Sequence, residues 1–215
     1  MKGNYRTVFK EGMDEVIINK SRFIGYAKPI ESEEDALEYI EKIKTKHRDA
    51  THNVSAYVFG ENSNVQRFDD DGEPSGTAGI PALEVIKKED LRNVVVVVTR
   101  YFGGIKLGSG GLIRAYTKGA KIGLEAAKIV EMRVHRKLLI KLDYHYYGKI
   151  ENYLLVNEYL VDGTEFGAKI LITICIDEEE VERFKEAIIN FCNGDVEIEE
   201  VEILHLPVLD GKRLK

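Results

Sequence analysis

The stretch Val94-Val-Val-Val-Val-Thr-Arg-Tyr-Phe-Gly-Gly-Ile-Lys-Leu-Gly-Ser-Gly-Gly-Leu-Ile-Arg-Ala-Tyr116 decides the reading of this chain. Five consecutive β-branched apolar residues predict a buried strand, which ends in Thr99-Arg100-Tyr101. A glycine-rich turn follows, and an amphipathic helix then runs from about Gly111 to Lys128, carrying Arg114, Lys118 and Lys121. Glycines ahead of a helix leave its first backbone N–H groups uncovered, and those donors suit an anion.

On the N-terminal side of this stretch, Glu15 to Ala27 alternates as one opening strand. Ser32 then caps a helix to about Lys46 whose apolar face is Ala36, Leu37, Ile40 and Ile43. Asn53 to Gly60 alternates with period two and has a hairpin partner in Val65 to Phe68, and a second helix covers Ala78 to Ile86. On the C-terminal side the pattern restarts near Val134. Strand 137–144, helix 145–157, strands 160–166 and 168–177, helix 178–193 and strand 196–206 follow, the β-α-β-β-α-β order of a ferredoxin-like unit. Two α+β domains are therefore expected, residues 1–133 and 134–215.

The net charge of −6 is unevenly spread. Lys and Arg number 14 against 18 Asp and Glu in residues 1–93, 10 against 2 in 94–141, and 7 against 17 in 142–215. The basic excess coincides with the glycine-rich stretch and favours an anionic partner for one surface only. The N-terminus has no apolar signal core and no apolar run reaches the roughly 20 residues that span a bilayer, so a cytoplasmic protein without a membrane partner is expected. Cys175 and Cys192 lack the spacing of a zinc knuckle or a redox pair.

Two surfaces are candidates for function. The first is an RNA or anion site formed by Arg100, Tyr101, Lys106, Gly108, Ser109, Gly110, Gly111, Arg114, Lys118 and Lys121, with Phe102 or Tyr116 available for base stacking if exposed. It matches neither the Walker pattern nor GxGxxG, which argues against a nucleoside triphosphate. The second is the acidic loop Asp69-Asp-Asp-Gly-Glu-Pro-Ser-Gly-Thr-Ala-Gly-Ile-Pro81, where Asp70, Asp71, Glu73, Ser75 and Thr77 with His52 suit acid–base chemistry or a divalent cation. The same residues suit a turn in which Ser75 or Thr77 caps the following helix, and that turn is the expected structure. Neither surface carries a catalytic motif, and no metal or cofactor is expected.

Taken together, Asp70-Asp-Gly-Glu-Pro-Ser-Gly-Thr-Ala-Gly79, Val98 to Tyr116, Ala50-Thr-His-Asn53 and Ser21-Arg-Phe23 resemble the YigZ/IMPACT family, strongly over residues 15–130. The resemblance implies a ribosomal-protein-like α/β domain similar to the fourth domain of elongation factor G, followed by a ferredoxin-like domain similar to that factor's fifth. It also implies a link to translation. Eukaryotic relatives act on a stress-kinase pathway through a separate N-terminal domain, for which this sequence leaves no room before Glu15; that pathway is not carried over. The expected function is a translation-associated regulator that binds structured RNA or a ribosomal surface. A hydrolase built on the 69–77 loop with His52, and a protein-interaction regulator of a translation or stress-response factor, are the alternatives.

Overall fold

In the computed structural model, which describes residues 3–214, Val94 to Val98 are withdrawn completely from solvent. A strand apolar on both faces needs cover on both, and β6 (Val94–Tyr101) has it. It lies at the centre of a five-stranded sheet of order β2-β3-β6-β4-β5, formed with β2 (Gly12–Ile18), β3 (Ser21–Pro29), β4 (His52–Phe59) and β5 (Val65–Asp69). Every pairing in it is antiparallel. Val94, Val96 and Val98 share one core with α2 (Gly79–Lys88) and α3 (Gly108–Ala126), whereas Val95 and Val97 share the other with α1 (Glu33–Lys46). Each fully buried valine contributes roughly 1.5–3 kcal/mol of transfer free energy. The alternation has a further consequence: Arg100 falls on the α2/α3 side with Val98, and Thr99 on the α1 side.

Several expectations are corrected. Residues 15–27 form a hairpin and not one strand, because Asn19 (φ +46°) and Lys20 (φ +64°) make a two-residue turn that pairs Ile18 with Ser21. Ser32 caps α1 as expected, accepting from Asp35 N–H at 3.0 Å. Leu37, however, is 51% exposed, and Tyr39 fills the apolar face with Ala36, Ile40 and Ile43. The first helical turn of α3 begins at Gly108, three residues earlier than expected. A short β1 (Tyr5–Val8), which buries Val8, has no counterpart in the sequence pattern.

Contacts divide the chain into units Met1–Glu131 and Met132–Lys215. Met1, Lys2 and Lys215, at the ends of the two expected domains, lie outside the described residues. In the second unit β7 (Ile129–Leu142), whose first residues belong to the first unit, is followed by α4 (Tyr144–Val156), β8 (Val161–Phe166), β9 (Ile170–Asp177), a short 3₁₀ turn, α5 (Val181–Phe191), β10 (Glu197–Leu209) and β11 (Lys212–Arg213). The strand order β11-β10-β7-β9-β8 places the four strands of the β-α-β-β-α-β run as 4-1-3-2. Residues of β9 alternate buried and half-buried, as a sheet with helices on one face requires, and Ile170, Ile172, Ile174 and Ile176 meet Ile150, Leu154, Phe184 and Ile188. Tyr146, Tyr147 and Tyr153 pack at the rim of this core. The helix expected over 178–193 starts at Val181, after the 3₁₀ turn in which Asp177 accepts from Glu179 N–H. Among the described residues no helix is long and apolar enough to cross a membrane.

Candidate functional site

The loop after β6 is held by two neighbouring segments. Thr51 Oγ1 accepts from Phe102 N–H at 2.9 Å and Ser21 Oγ accepts from Gly103 N–H at 3.2 Å. A Cβ on Gly103 would stand 2.0 Å from the Lys20 carbonyl oxygen, so only glycine lets the loop lie on the β2–β3 turn. The short segments around Ser21 and Thr51 thus act as ties for the glycine-rich loop. The loop delivers the chain to α3, where Gly108 takes φ +67° and no side chain caps the first turn, which also carries no acidic residue.

The two surfaces read separately from the sequence meet here. Arg100, only 5% exposed, pairs with the buried carboxylate of Glu73, and the Tyr116 hydroxyl donates to Glu73 Oε1 at 2.7 Å. The Arg100 guanidinium carbon also lies 5.5 Å from the ring centres of both Phe23 and Phe102. Burial, then the bond to Glu73, pushes the Tyr116 hydroxyl far above its ordinary pKa, so it remains a donor. Two expectations are corrected by this geometry. Arg100 is committed to an internal ion pair, and Tyr116 is wholly buried against Phe23 and cannot stack on a base. Phe102 is the exposed aromatic ring, at 46%.

Tyr101 is half-buried and engaged elsewhere. Its hydroxyl donates to Asp49 Oδ1 at 3.2 Å and accepts from His47 Nδ1 at 2.9 Å, while His47 Nε2 accepts from Tyr26 at 2.7 Å. Burial, with Lys46 next in effect, lowers the His47 pKa from 6.5. A depressed folded pKa means that the unfolded chain binds more protons, so this contribution to stability is complete above pH 6.5 and is lost as pH falls below it. Melting temperature is therefore expected to fall between pH 7.5 and 5.5, with a shallower slope in His47→Gln. The remaining slope belongs in part to His135, whose pKa burial also lowers. Equal slopes in the two proteins would remove His47 from the account.

The acidic loop is a cap. Asp70 accepts from the N–H groups of Gly76, Ala78 and Gly79 at 2.8, 3.1 and 2.7 Å, and so performs at the start of α2 the role expected of Ser75 or Thr77. Thr77 donates instead to the Pro74 carbonyl, and Ser75 is exposed. Asp71, at φ +47°, accepts from Asn53 N–H at 2.6 Å and pairs with Lys44 at 3.2 Å. His52 donates from Nδ1 to the Asp71 carbonyl at 2.7 Å, leaving Nε2 3.7 Å from Glu73 Oε1. Asp70 and Asp71 are thus spent on backbone donors and Lys44. Among the described residues no three His, Cys, Asp or Glu side chains are grouped to hold a metal ion.

Arg100, Glu73 and His52 line a cavity of about 440 Å³ together with Thr51, Pro74, Phe102, Lys106 and the first turn of α3. Lys106, Ser109, Gly110, Arg114, Lys118 and Lys121 are exposed and Gly111 half-buried; Lys121 has Glu125 3.8 Å away. The Arg100–Glu73 bond that unites the two motifs has no signal in the sequence, because it joins β6 to the loop before α2, 27 positions apart.

Comparison with known proteins agrees with this architecture. The Impact N-terminal domain matches residues 19–124, and a domain of unknown function, DUF1949, matches residues 140–195. The IMPACT family member YvyE of Bacillus subtilis (strain 168) is 45% identical over 206 residues, covering 96% of this chain and 95% of that one. The IMPACT family member YigZ of Escherichia coli (strain K12) is 30% identical over 187 residues, covering 86% and 92%. A crystal structure of a hypothetical protein has the same fold at TM-score 0.59 and 28% identity, covering 94% of this chain and 99% of its own.

Proposed function

The chain belongs to the IMPACT family, and on that premise we propose that it is a cytoplasmic, translation-associated regulator that binds structured RNA, including RNA exposed on the ribosome, through the loop after β6 and the outer face of α3. Its first domain is read as a relative of the fourth domain of elongation factor G, a reading supported by the 4-1-3-2 sheet that follows it, since that factor's fifth domain is ferredoxin-like. Fold analogy alone does not carry the function. The carrying observation is the arrangement of charge: Arg114, Lys118 and Lys121 are exposed at spacings of four and three on one helix, and Lys106 is exposed just before it. Within the first unit, residues 94–131 hold six basic residues against two acidic ones, a local excess on a chain of net charge −6; the other four basic residues of 94–141, Arg133, Arg136, Lys137 and Lys141, lie in the second unit and pair with its carboxylates.

Changing Lys118 and Lys121 together to Glu is expected to weaken binding to structured RNA and to ribosomal subunits with little regard to sequence. Losing two phosphate contacts should also reduce the slope of log affinity against log salt by about 2. Thermal stability should move little, since solvated lysines usually contribute within about 0.5 kcal/mol. The measurement is anisotropy with a labelled RNA hairpin at several salt concentrations, beside a melting curve. Unchanged affinity and slope would overturn the reading and favour a protein partner.

A further inference from the structure

The cavity at the start of α3 contains groups that contact with a duplex backbone does not use. Lys106 and the uncapped first turn of α3 offer charge and backbone donors at one part of it. Arg100 contributes a second, independent feature: its side chain is 6% exposed, it lines the same cavity, and its Nε has no hydrogen-bond partner among the described residues. A buried donor left without an acceptor costs roughly 1–3 kcal/mol, and a bound acceptor would relieve that cost. Phe102 is the third. Its ring is held beside the Arg100 cation and its N–H is tied to Thr51, so an exposed aromatic surface is fixed at the rim rather than left mobile. A cavity of about 440 Å³ is of the size that takes a small ligand and is too small for a stretch of duplex.

We infer that this cavity binds one nucleoside 5′-monophosphate group, with the phosphate on the α3 N-terminus beside Lys106 and the base stacked on Phe102. The inference rests on the RNA reading above and adds a ligand to it: the group is the phosphorylated 5′ end of an RNA strand, the free mononucleotide sharing its chemistry. A phosphate monoester, carrying close to two negative charges, gains more from a helix N-terminus flanked by Lys106 than the singly charged diester inside a strand. Stacking on a ring is tolerant of base identity, so all four nucleotides should bind. Glu73 does not repel the phosphate into solution because its charge is neutralised by Arg100 in the ion pair.

The test uses the full chain and two variants. A single-stranded RNA hexanucleotide is titrated by anisotropy in 5′-phosphorylated and 5′-hydroxyl forms, and uridine 5′-monophosphate, uridine and inorganic phosphate by calorimetry. The phosphorylated hexanucleotide should bind about tenfold more tightly than the hydroxyl form, and uridine 5′-monophosphate should bind where uridine does not. Phe102→Ala should weaken the mononucleotide about tenfold while leaving inorganic phosphate nearly unaffected. Ser109→Glu places a carboxylate in the anion position, where it favours the helix itself, so binding should disappear with the melting temperature unchanged or raised. No preference for the 5′-phosphate together with no heat from the mononucleotide overturns the inference, as does mononucleotide binding unaltered in Ser109→Glu. Hairpin RNA bound without any 5′-phosphate preference leaves the α3 face standing and rejects the cavity. Mononucleotide bound by a chain that ignores every RNA supports the cavity and rejects the RNA reading.

Discussion

The Gly25→Ala chain is expected to lose about 3 kcal/mol or more, the top of the range for overpacked cores. A Cβ at Gly25 on β3 would stand 1.9 Å from the carbonyl oxygen of Gly119 and 3.0 Å from the amide nitrogen of Gly123, both on α3. These are backbone atoms, so no rotamer change can relieve the overlap. Either α3 moves off the sheet or β3 bends, and α3 also carries Tyr116, Leu112 and Leu124 into the core. Gly119 is constrained in turn, since its Cβ would lie 2.6 Å from Val98 Cγ1. The glycines in β3 and α3 are therefore what brings the helix N-terminus close to Arg100. Gly148→Ala provides the contrast: it sits in α4 with nothing within 4 Å of the added Cβ, and should be neutral or stabilising by roughly 0.5–1 kcal/mol. Urea unfolding followed by circular dichroism, with hydrogen exchange of the Val94–Val98 amides to assign the first domain, measures both. A Gly25→Ala chain that unfolds at the unaltered urea concentration would show that β3 and α3 do not approach this closely.

The two sheets were readable from the chain because their apolar patterns are local. Val94 to Val98 announces a covered strand, and alternation over Ile170 to Ile176 announces a sheet with one covered face. What stayed hidden depends on less common local chemistry or on tertiary pairing. The Asn19-Lys20 turn has lysine in a left-handed conformation without the Asn-Gly signature, so two strands read as one. Asp70 lies nine positions before Gly79, its most distant backbone donor, beyond any capping-box spacing. In the sequence Arg100 and Glu73 fall on separate candidate surfaces, because nothing in either motif says which face of β6 meets the acidic loop. The period of two does put Arg100 on the face of Val98; only the fold shows that α2 and α3 cover that face.

That buried pair should dominate the response of the site to mutation. Glu73→Ala leaves the Arg100 guanidinium inside the domain without its counter-charge and the Tyr116 hydroxyl without its acceptor, and breaking a buried ion pair in this way costs about 3–5 kcal/mol. Burial does not imply that the pair is a net source of stability, because both ions had to leave water. The triple substitution Glu73→Leu, Arg100→Met and Tyr116→Phe, which also removes the hydroxyl that would lose its acceptor, should therefore recover much of the loss and can match the unaltered chain. Glu73→Gln should be intermediate, since an amide oxygen still accepts from Tyr116 and Arg100 but carries no charge. The double-mutant cycle from urea unfolding isolates the coupling, expected at a few kcal/mol for residues in direct contact. A Glu73→Ala chain destabilised by less than about 1 kcal/mol would mean that Arg100 reaches water when its partner is gone. The same variants separate scaffold from recognition: the triple substitution restores the fold and removes the Arg100 Nε donor. It should therefore melt near the unaltered chain yet bind uridine 5′-monophosphate less well, and full retention of that affinity would exclude Arg100 from the cavity's chemistry.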